Sequence, residues 1–420
     1  MAERLNPEAL LHALFDKAVE VADPMRSLAA HLPDRPSGRL VVTGAGKASA
    51  RMAEAVEAAW GPCDGLVITR YGYGRPCAGV EIVEAAHPVP DAAGAEATAR
   101  MLDLVAGLGE GDTVLALISG GASALLVAPV AGVSLADKQA VNAALLASGA
   151  PIGQMNVVRK HLSRVKGGQL AAATHPARLV SLLISDVPGD RPEEIGSGPT
   201  VGDPSTAADA RAILERWGVA VPPSVDAALA AGSGVVAPND PRLARSETRV
   251  YAAPAQSLAA AADLAGSHGI NVENLGDALE GEARDVAADH AKLALEAQGR
   301  LAAPHLLLSG GELTVTRRGD GVGGPNAEYA LALALALDGA PGVHAIACDT
   351  DGVDGAAEVA GAVIGPDTLA RAHVAGVDAK TALDRNDAHG FFGALGDQVV
   401  PGPTLTNVND FRAILVLPHP

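Results

Sequence analysis

Leu115-Ala-Leu-Ile-Ser-Gly-Gly-Ala-Ser123 is the stretch that decides the fold of this chain, because it joins an apolar, strand-like run to a glycine-rich turn. The arrangement occurs again in Leu306-Leu-Leu-Ser-Gly-Gly-Glu-Leu-Thr314. A turn of this kind lets backbone N–H groups approach an anion closely. Ligands of open α/β sheets bind outside the carboxyl ends of the strands. Two copies therefore predict two α/β lobes that face one cleft.

The chain around the first turn alternates apolar strand-like runs with helical segments. Continuous apolar strands that alternate with helices predict a parallel sheet covered on both faces. A Pro-, Gly- and charge-rich segment at 232–248 marks the predicted boundary. The prediction is an amino-terminal domain at 1–240 and a smaller α/β domain at 241–403, with the segment 404–420 in either. The expected strands are 39–43, 65–69, 80–84, 112–118, 178–184, 343–348 and 407–417, and the expected helices include 91–108, 135–148, 153–174 and 326–337.

The amino-acid composition and net charge limit the kinds of molecule that this protein is expected to bind. The 420 residues carry a formal net charge of −18, which argues against nucleic acid and anionic membranes as partners. No apolar run approaches the roughly 18–20 residues of a membrane span. The acidic start at 1–8 is not typical of a signal peptide, and Cys63, Cys77 and Cys348 lack metal-site spacing. We expect a cytoplasmic protein that binds small molecules, and the sequence leaves open whether it is a homodimer.

Gly44-Ala-Gly-Lys-Ala-Ser49 follows a predicted strand and opens a helix, which is the context of a phosphate-binding loop. The stretch matches neither the P-loop pattern nor the dinucleotide-binding fingerprint. Val41 and Ala48 stand where a P-loop has glycine and a hydroxyl residue, and Ser49 stands where a dinucleotide fingerprint has its third glycine. Because the helix dipole repels a cation at a helix N-terminus, we expect Lys47 to have an anionic partner.

Aspartates cluster where strands are predicted to end: Asp186 and Asp190, then Asp349, Asp351 and Asp354. Carboxylates at such points suit Mg²⁺, which binds through one or two of them and leaves positions for phosphate oxygens. The alternative interpretation is that these aspartates are solvated turn residues that bind no metal ion.

A basic cluster lies at 159–166. If 153–174 is one helix, Arg159 and Lys166 share a face, which is either an anion site or a solvated surface. His87 precedes two prolines, where a turn role is as plausible as catalysis. Neither Ser119 nor Ser309 fits the Gly-x-Ser-x-Gly pattern of hydrolases.

Together these stretches resemble the D-glycerate 2-kinase family, the glycerate kinases whose carboxyl-terminal part is the MOFRL domain. The resemblance spans nearly the whole chain. It is carried by Gly44-Ala-Gly-Lys-Ala48, His87-Pro-Val-Pro-Asp91, Ile118-Ser-Gly-Gly-Ala-Ser123, Asn156-Val-Val-Arg-Lys160, Lys166-Gly-Gly168, Ser185-Asp-Val-Pro-Gly-Asp190, Gly196-Ser-Gly-Pro-Thr200, Leu308-Ser-Gly-Gly-Glu312, Asp349-Thr-Asp-Gly-Val-Asp-Gly355 and Thr406-Asn-Val-Asn-Asp410.

The resemblance implies phosphorylation of D-glycerate at its 2-hydroxyl, dependent on ATP and Mg²⁺, to give 2-phosphoglycerate. It also implies a Rossmann-like, parallel-sheet amino-terminal domain and a smaller α/β domain around a deep cleft. Lys47 would contact the transferring phosphoryl group. One departure is Pro325, where many members have an arginine, and Arg159, Lys160 or Arg385 could supply the missing cation.

The resulting hypothesis gives catalytic roles to Lys47, Asp190 and Asp351, and makes Asp186 and Asp349 ligands of Mg²⁺. The residues expected to bind ATP and substrate are Gly44, Gly46, Ser119, Gly120, Gly121, Ser123, Lys160, Ser309, Gly310, Gly311, Glu312, Asn326 and Asn407.

Two other functions remain open. A nicotinamide-dependent hydroxypyruvate reductase could use Arg70, at the end of the second strand, to meet an NADP 2′-phosphate. The missing third glycine and the lack of an acid–base histidine weigh against it. A non-catalytic ligand sensor would need a partner-binding element, and this acidic chain shows no basic recognition helix.

Overall fold

The computed structural model describes residues 6–355 and 357–418. Met1–Leu5, part of the acidic start used above, and the last two residues of the segment 404–420 lie outside the described residues. The chain forms two compact units. The amino-terminal unit holds residues 24–186 and 190–251, and the carboxyl-terminal unit holds the described residues up to 23, 187–189 and those from 252 onward. Within the described chain no helix combines the length and apolarity needed to cross a membrane.

Helix α1 (Pro7–Ala22) precedes the amino-terminal unit along the chain but packs in the carboxyl-terminal one. Leu14, Phe15 and Ala18 are buried in one apolar cluster with Leu306 and Phe411 of that unit's sheet. An amphipathic helix shows which of its faces is buried. The sequence did not show that this face belongs with the second sheet.

A six-stranded sheet forms the centre of the amino-terminal unit. Its order is β3-β2-β1-β4-β5-β6, the order of doubly wound dinucleotide-binding folds. The pairs β3–β2, β2–β1, β1–β4 and β4–β5 are parallel, so the predicted Rossmann-like parallel sheet is confirmed. The strands are β1 (Leu40–Ala45), β2 (Asp64–Arg70), β3 (Val80–Ala85), β4 (Thr113–Ile118), β5 (Arg178–Ile184) and β6 (Ser246–Ala252).

The helices of this unit follow the predicted alternation, with one exception. The predicted helix 153–174 is two helices, because α7 ends at His161 and both Gly167 (φ 57°) and Gly168 (φ 78°) adopt left-handed backbone that stops a helix. The helices are α2 (Pro24–Ser27), α3 (Ser49–Trp60), α4 (Ala92–Val105), α5 (Ala122–Leu125), α6 (Leu135–Ser148), α7 (Ile152–His161), α8 (Gln169–Thr174), α9 (Ala207–Arg216) and α10 (Pro223–Ala231), with 3₁₀ turns at Leu28–His31, Ile195–Ser197 and Pro241–Leu243. A further 3₁₀ turn, Pro188–Asp190, spans the unit limit at 189/190.

The carboxyl-terminal unit contains a mixed six-stranded sheet of order β13-β12-β11-β14-β9-β7. Its pairs are antiparallel except β7–β9, and β8 and β10 form a separate parallel pair. The strands are β7 (Asn271–Asn274), β8 (Gly281–Glu282), β9 (His305–Ser309), β10 (Leu313–Thr314), β11 (Val343–Asp349), β12 (Gly361–Ile364), β13 (Gln398–Val399) and β14 (Asp410–Val416).

Helix α13 is the centre of this unit's larger apolar cluster. Ten of its residues are buried, and an Ala- and Leu-rich helix that is apolar on every side requires such a position. The helices here are α11 (Pro254–Ser267), α12 (Ala283–Gln298), α13 (Pro325–Leu337), α14 (Thr368–Val374), α15 (Ala379–Asp384) and α16 (Ala388–Leu395).

The unit boundaries differ from the predicted domain limits in two further places. The chain passes from one unit to the other at 251/252 rather than 240/241, because the segment 232–248 is bonded into the amino-terminal unit. There the Val236 N–H donates to Gly167 O at 2.9 Å, and Asp203 N–H donates to Val236 O at 2.8 Å. The segment 404–420 does not return to the first domain, since β14 lies between β11 and β9 in the second sheet.

Candidate functional site

The loop after β1 and the loop after β4 are tied together. Gly46 (φ 141°) lies so close to Ser119 that a Cβ there would stand 2.1 Å from Ser119 Oγ. Lys47 N–H donates to Gly120 O at 2.8 Å, and Ala48 N–H donates to Ser119 Oγ at 3.0 Å. The predicted binding residues Gly44, Gly46, Ser119 and Gly120 therefore form one backbone platform at the carboxyl edge of the sheet.

Gly121 places Lys47 and His87 side by side. It has left-handed backbone (φ 83°), and a Cβ built on it would lie 3.3 Å from Lys47 Cγ and 3.2 Å from His87 Nε2. Among the described residues, no acceptor is bonded to the backbone N–H groups of Gly120 or Gly121. Such N–H groups beside a lysine form a site for an anion.

A cavity of about 170 Å³ begins at this loop. His87, Gly121 and Ser123 line it on the loop side, and its other polar side chains come from α6, α7 and the turn after α7. Three of those are basic: Lys138, Arg159 and Lys166. Arg159 and Lys166 thus face a common space, although the single helix predicted to bring them together does not exist.

No carboxylate of the described residues pairs with these three cations. Lys138 donates to Leu162 O at 3.1 Å, and Lys166 donates to Ser123 O at 2.8 Å. Arg159 donates to two amide oxygens, Asn142 Oδ1 at 2.7 Å and Asn156 Oδ1 at 3.1 Å. Buried charges are normally paired, so an anionic ligand would complete this cavity.

Burial lowers the pKa values of these three basic side chains. It lowers the pKa of Lys138 to about 7, helped by the neighbouring Arg159 charge, and it lowers the pKa of Lys166 well below its usual range. It also lowers the pKa of Arg159, but a guanidinium keeps its proton in proteins.

The shifted pKa of Lys138 predicts a pH dependence of stability. Between about pH 7 and pH 10.5 the unfolded chain holds a proton on Lys138 that the folded chain has lost, so stability falls as pH falls through this window. The slope from one such group is at most about 1.4 kcal/mol per pH unit. We expect Lys138→Met to flatten the rise in the free energy of unfolding between pH 7 and 9.5, measured by urea titration. Lys380→Met, at an exposed lysine, should keep the original slope, and an unchanged slope in Lys138→Met would contradict this interpretation.

Lys160, a predicted ligand-binding residue, has a partner inside its own unit. Its ammonium lies 2.6 Å from Asp203 and 3.9 Å from Glu194, and its side chain is 2 % exposed. Arg385 is exposed and pairs with Asp320 at 2.9 Å. Of the three cations considered as substitutes for an arginine at Pro325, only Arg159 lines the cavity.

The second Ser-Gly-Gly loop is fixed by a buried arginine. Arg412 donates to Gly310 O at 2.6 Å and to Gly311 O at 3.1 Å, and it pairs with Asp410 at 2.9 Å. Burial raises the pKa of Asp410, while the Arg412 charge and the Asn326 amide act in the opposite direction. Asn326 donates to Asp410 Oδ1 at 2.7 Å, so predicted residues from the loop after β9 and from α13 share one network. Ser309 ends β9, and Glu312, further along the loop, is exposed.

The loop after β11 holds the predicted Asp349 and Asp351. Asp351 N–H donates to Asp349 Oδ1 and Val353 N–H donates to Asp351 Oδ1, both at 2.8 Å. The segment containing Asn407 lies against this loop, since Val408 N–H donates to Thr350 Oγ1 at 2.9 Å.

Asp354, from the same loop, caps helix α13. Its carboxylate accepts from the backbone N–H of Asn326 at 3.0 Å and of Ala327 at 2.8 Å, and His389 lies 3.2 Å away. Pro325 has no N–H and fits the first turn of a helix. In this chain a carboxylate therefore satisfies the backbone N–H groups of the helix end next to Pro325.

The remaining predicted aspartates, Asp186 and Asp190, follow β5 and are half-buried. No group of three or more His, Cys, Asp or Glu residues stands together as a metal centre within 6–355 and 357–418. The carboxylates at the ends of β5 and β11 offer oxygen ligands, which suit Mg²⁺ bound through one or two protein groups.

Comparison with known proteins assigns the family. A domain of unknown function, DUF4147, matches residues 10–230, and the MOFRL family matches residues 305–410. The D-glycerate 2-kinase of Thermotoga maritima is 38% identical over 421 residues, covering 98% of this chain and 100% of that protein. This chain belongs to the MOFRL family of glycerate 2-kinases.

Solved structures and other relatives extend the family match. A crystal structure of the Thermotoga maritima glycerate kinase matches with a TM-score of 0.88 at 37% identity, covering 98% of this chain and 99% of that one. A protein of Agrobacterium vitis is 53% identical over 98% of this chain and 95% of its own length, and it is named, provisionally, a hydroxypyruvate reductase. Members of one family therefore carry two different activity names.

Several residues of the candidate site and of the buried network around Arg412 were not predicted from the sequence. Lys138 lies in helix α6, where a lysine is normally exposed to solvent. No motif indicates that it is buried, because its partners are backbone carbonyl groups rather than charged side chains. Asn142 and Asn156 orient Arg159 through side-chain contacts that no spacing rule indicates. Arg412 lies in a β-strand that is otherwise nearly all apolar, and a charge in a buried strand is a usable signal for a buried ion pair.

Proposed function

We propose that this protein is a glycerate 2-kinase that transfers the γ-phosphoryl group of ATP to the 2-hydroxyl of D-glycerate. The observation that carries the proposal is the set of cationic and N–H donors in the amino-terminal unit. Lys47 lies beside Gly121, and the adjoining cavity has three basic side chains that lack carboxylate partners among the described residues. Such a site suits substrates that carry negative charge. The kinase relatives named above agree with this chemistry.

Phosphoryl transfer requires positioning and neutralisation of charge more than covalent chemistry by the protein. In the proposed reaction, the backbone N–H groups of Gly120 and Gly121 and the ammonium of Lys47 bind the oxygens of the transferring group. These donors are fixed before the substrate arrives, because Gly46 and Ser119 hold the two loops together. Preorganised donors of this kind stabilise a transition state without reorganisation.

Mg²⁺, when bound with ATP, would neutralise part of the phosphate charge. Asp186 and Asp349 are our proposed ligands, because oxygen donors at strand ends fit the preference of this ion. Asp190 and Asp351 are proposed to act with Lys47 in catalysis, and Asn326, Asn407 and the Ser309 loop to contact nucleotide or substrate. Each of these roles is a prediction for mutagenesis.

Product analysis tests the proposal directly. With Mg-ATP and D-glycerate, we expect ADP and 2-phosphoglycerate, identified by ³¹P and ¹H NMR. Formation of 3-phosphoglycerate would contradict the site of transfer, and the absence of either product would contradict the proposed function.

The reductase name of the Agrobacterium vitis relative makes hydroxypyruvate reduction the second candidate. Arg70, the residue considered for an NADP phosphate, has its guanidinium 4.7 Å from the centre of the Tyr73 ring. The matching assay contains NADPH and hydroxypyruvate without ATP. Oxidation of NADPH in this assay, with no ADP released in the first, would establish the reductase instead.

A further inference from the structure

The basic cavity in the amino-terminal unit contains more positive charge than its protein surroundings explain. Lys138 and Lys166 are 8% and 1% exposed, and their donors reach only carbonyl oxygens. The cavity walls between them include Pro88, Leu145 and Leu162. Taking cations out of water without a counterion is costly, so this arrangement is understandable if a ligand supplies the counterion.

Arg159 is the best-oriented of the three cations. Asn142 and Asn156 accept from its Nε and one terminal nitrogen, which fixes the plane of the guanidinium. Asn156 is itself held by Glu194 at 2.9 Å. A fixed guanidinium plane favours a planar partner that can accept two parallel hydrogen bonds, as a carboxylate does.

The amount of charge and the space available both favour a small monoanion. Burial lowers the pKa values of Lys138 and Lys166, whereas a guanidinium keeps its proton, so Arg159 is the fixed positive charge of the cavity. A cavity of about 170 Å³ with partly apolar walls lies below the range of about 300–1,000 Å³ found for sites of drug-sized ligands. It suits the carboxylate end of a short hydroxy acid.

We propose that Arg159, supported by Lys138 and Lys166, binds the carboxylate of the acceptor substrate and thereby selects small 2-hydroxy carboxylates. This inference rests on the proposed kinase function and identifies the part of the site that recognises the acceptor. Gly121 lines the cavity, and a Cβ built on it would lie 3.3 Å from Lys47 Cγ. A substrate whose carboxylate lies at Arg159 therefore has its neighbouring hydroxyl close to the loop that is proposed to bind the phosphoryl group.

The test compares Arg159→Met with Arg164→Met. Arg164 belongs to the same basic stretch, but it is exposed and donates to Pro129 O at 3.2 Å. For Arg159→Met we expect the KM for D-glycerate and its calorimetric Kd to rise on the order of 100-fold, because truncating one partner of a buried charge pair costs this much. The KM for ATP should stay within about threefold. Arg164→Met should leave both KM values unchanged.

A second variant covers the case in which Arg159→Met does not fold. Asn142→Ala keeps the guanidinium but removes the acceptor of its Nε, and we expect a rise of about tenfold in the KM for D-glycerate with kcat largely preserved. A purely structural role for Asn142 would change both substrates' KM values equally, and that result would overturn the assignment.

The outcomes separate this inference from the proposed function. Weaker ATP binding with normal D-glycerate binding in Arg159→Met would place nucleotide phosphates in the cavity and overturn the carboxylate assignment. Normal KM values for both substrates in an active Arg159→Met enzyme would overturn it while leaving the kinase intact. Arg159-dependent calorimetric binding of D-glycerate by a wild-type protein without kinase activity would support the site and contradict the proposed function.

Discussion

Replacing Lys47 with alanine is expected to lower kcat for phosphoryl transfer by about 10³-fold or more, the range found when a cation at a transferring phosphoryl group is removed. Lys47 lies beside Gly121, next to two backbone N–H groups that no described residue accepts from. Charge on the transferring group spreads over its equatorial oxygens in the transition state, so the loss should appear in kcat as well as in kcat/KM. The measurement is steady-state ADP release with Mg-ATP and D-glycerate.

Two control variants make this result specific. Lys47→Arg keeps a cation at the same position and should recover part of the lost rate, although a guanidinium cannot reproduce the point charge of an ammonium. Lys380→Met removes an exposed lysine of the other unit and should leave kcat unchanged. A loss of less than tenfold in Lys47→Ala, with unchanged circular dichroism, would remove Lys47 from its proposed role.

The sequence was a good guide wherever local chemistry alone determines structure. Strand β5 coincides with the predicted 178–184, since a short and nearly continuous apolar run between turn signals is typical of a strand buried on both faces. Helix α6 coincides with the predicted 135–148, because Ser134 and Asp137 form a capping box that fixes its start. The Gly44–Lys47 turn and the Ser119 turn were predicted at strand ends, because glycines directly follow apolar runs there. In the structure the two turns are hydrogen-bonded to each other.

Contacts between distant segments determine the features of the fold that the sequence pattern did not predict. The apolar pattern of β14 shows that it is buried but not which sheet it enters, and its partners turn out to be β11 and β9. The helical pattern across 153–174 concealed the break after His161, although the pair Gly167-Gly168, which directly precedes α8, is itself a turn signal. Arg159 and Lys166 nevertheless reach the same cavity, by way of a turn rather than a helix face.

The second large effect is expected at Arg412, in the carboxyl-terminal unit. Arg412→Met should destabilise this unit by about 3–5 kcal/mol, the cost of breaking a buried ion pair by removing one partner. The variant leaves the Asp410 carboxylate without its cation and removes the donors that hold Gly310 O and Gly311 O. Because a chain of two units need not unfold in one step, the measurement should be local. Hydrogen exchange followed by mass spectrometry on peptides from β9 and β14 reports this unit directly.

Arg300→Met is the matched control. Arg300 is an exposed arginine of the same unit, 3.9 Å from Glu296, and an exposed pair of this kind contributes about 0–1 kcal/mol. Exchange in β9 and β14 should therefore be nearly unchanged in this variant.

The pH dependence of Arg412→Met distinguishes a lost charge pair from lost packing. Burial already raises the pKa of Asp410, and without Arg412 it should rise further. A carboxyl whose folded pKa lies above its unfolded value of about 3.9 costs stability that grows as pH rises through that window. Stability lost by the variant at pH 7 should consequently be partly recovered at pH 5, and the double variant Asp410→Asn with Arg412→Met should lack this recovery. A destabilisation that is equal at both pH values would mean that Arg412 stabilises the Ser309–Gly311 loop through its contacts with Tyr329 and the two carbonyls rather than through Asp410.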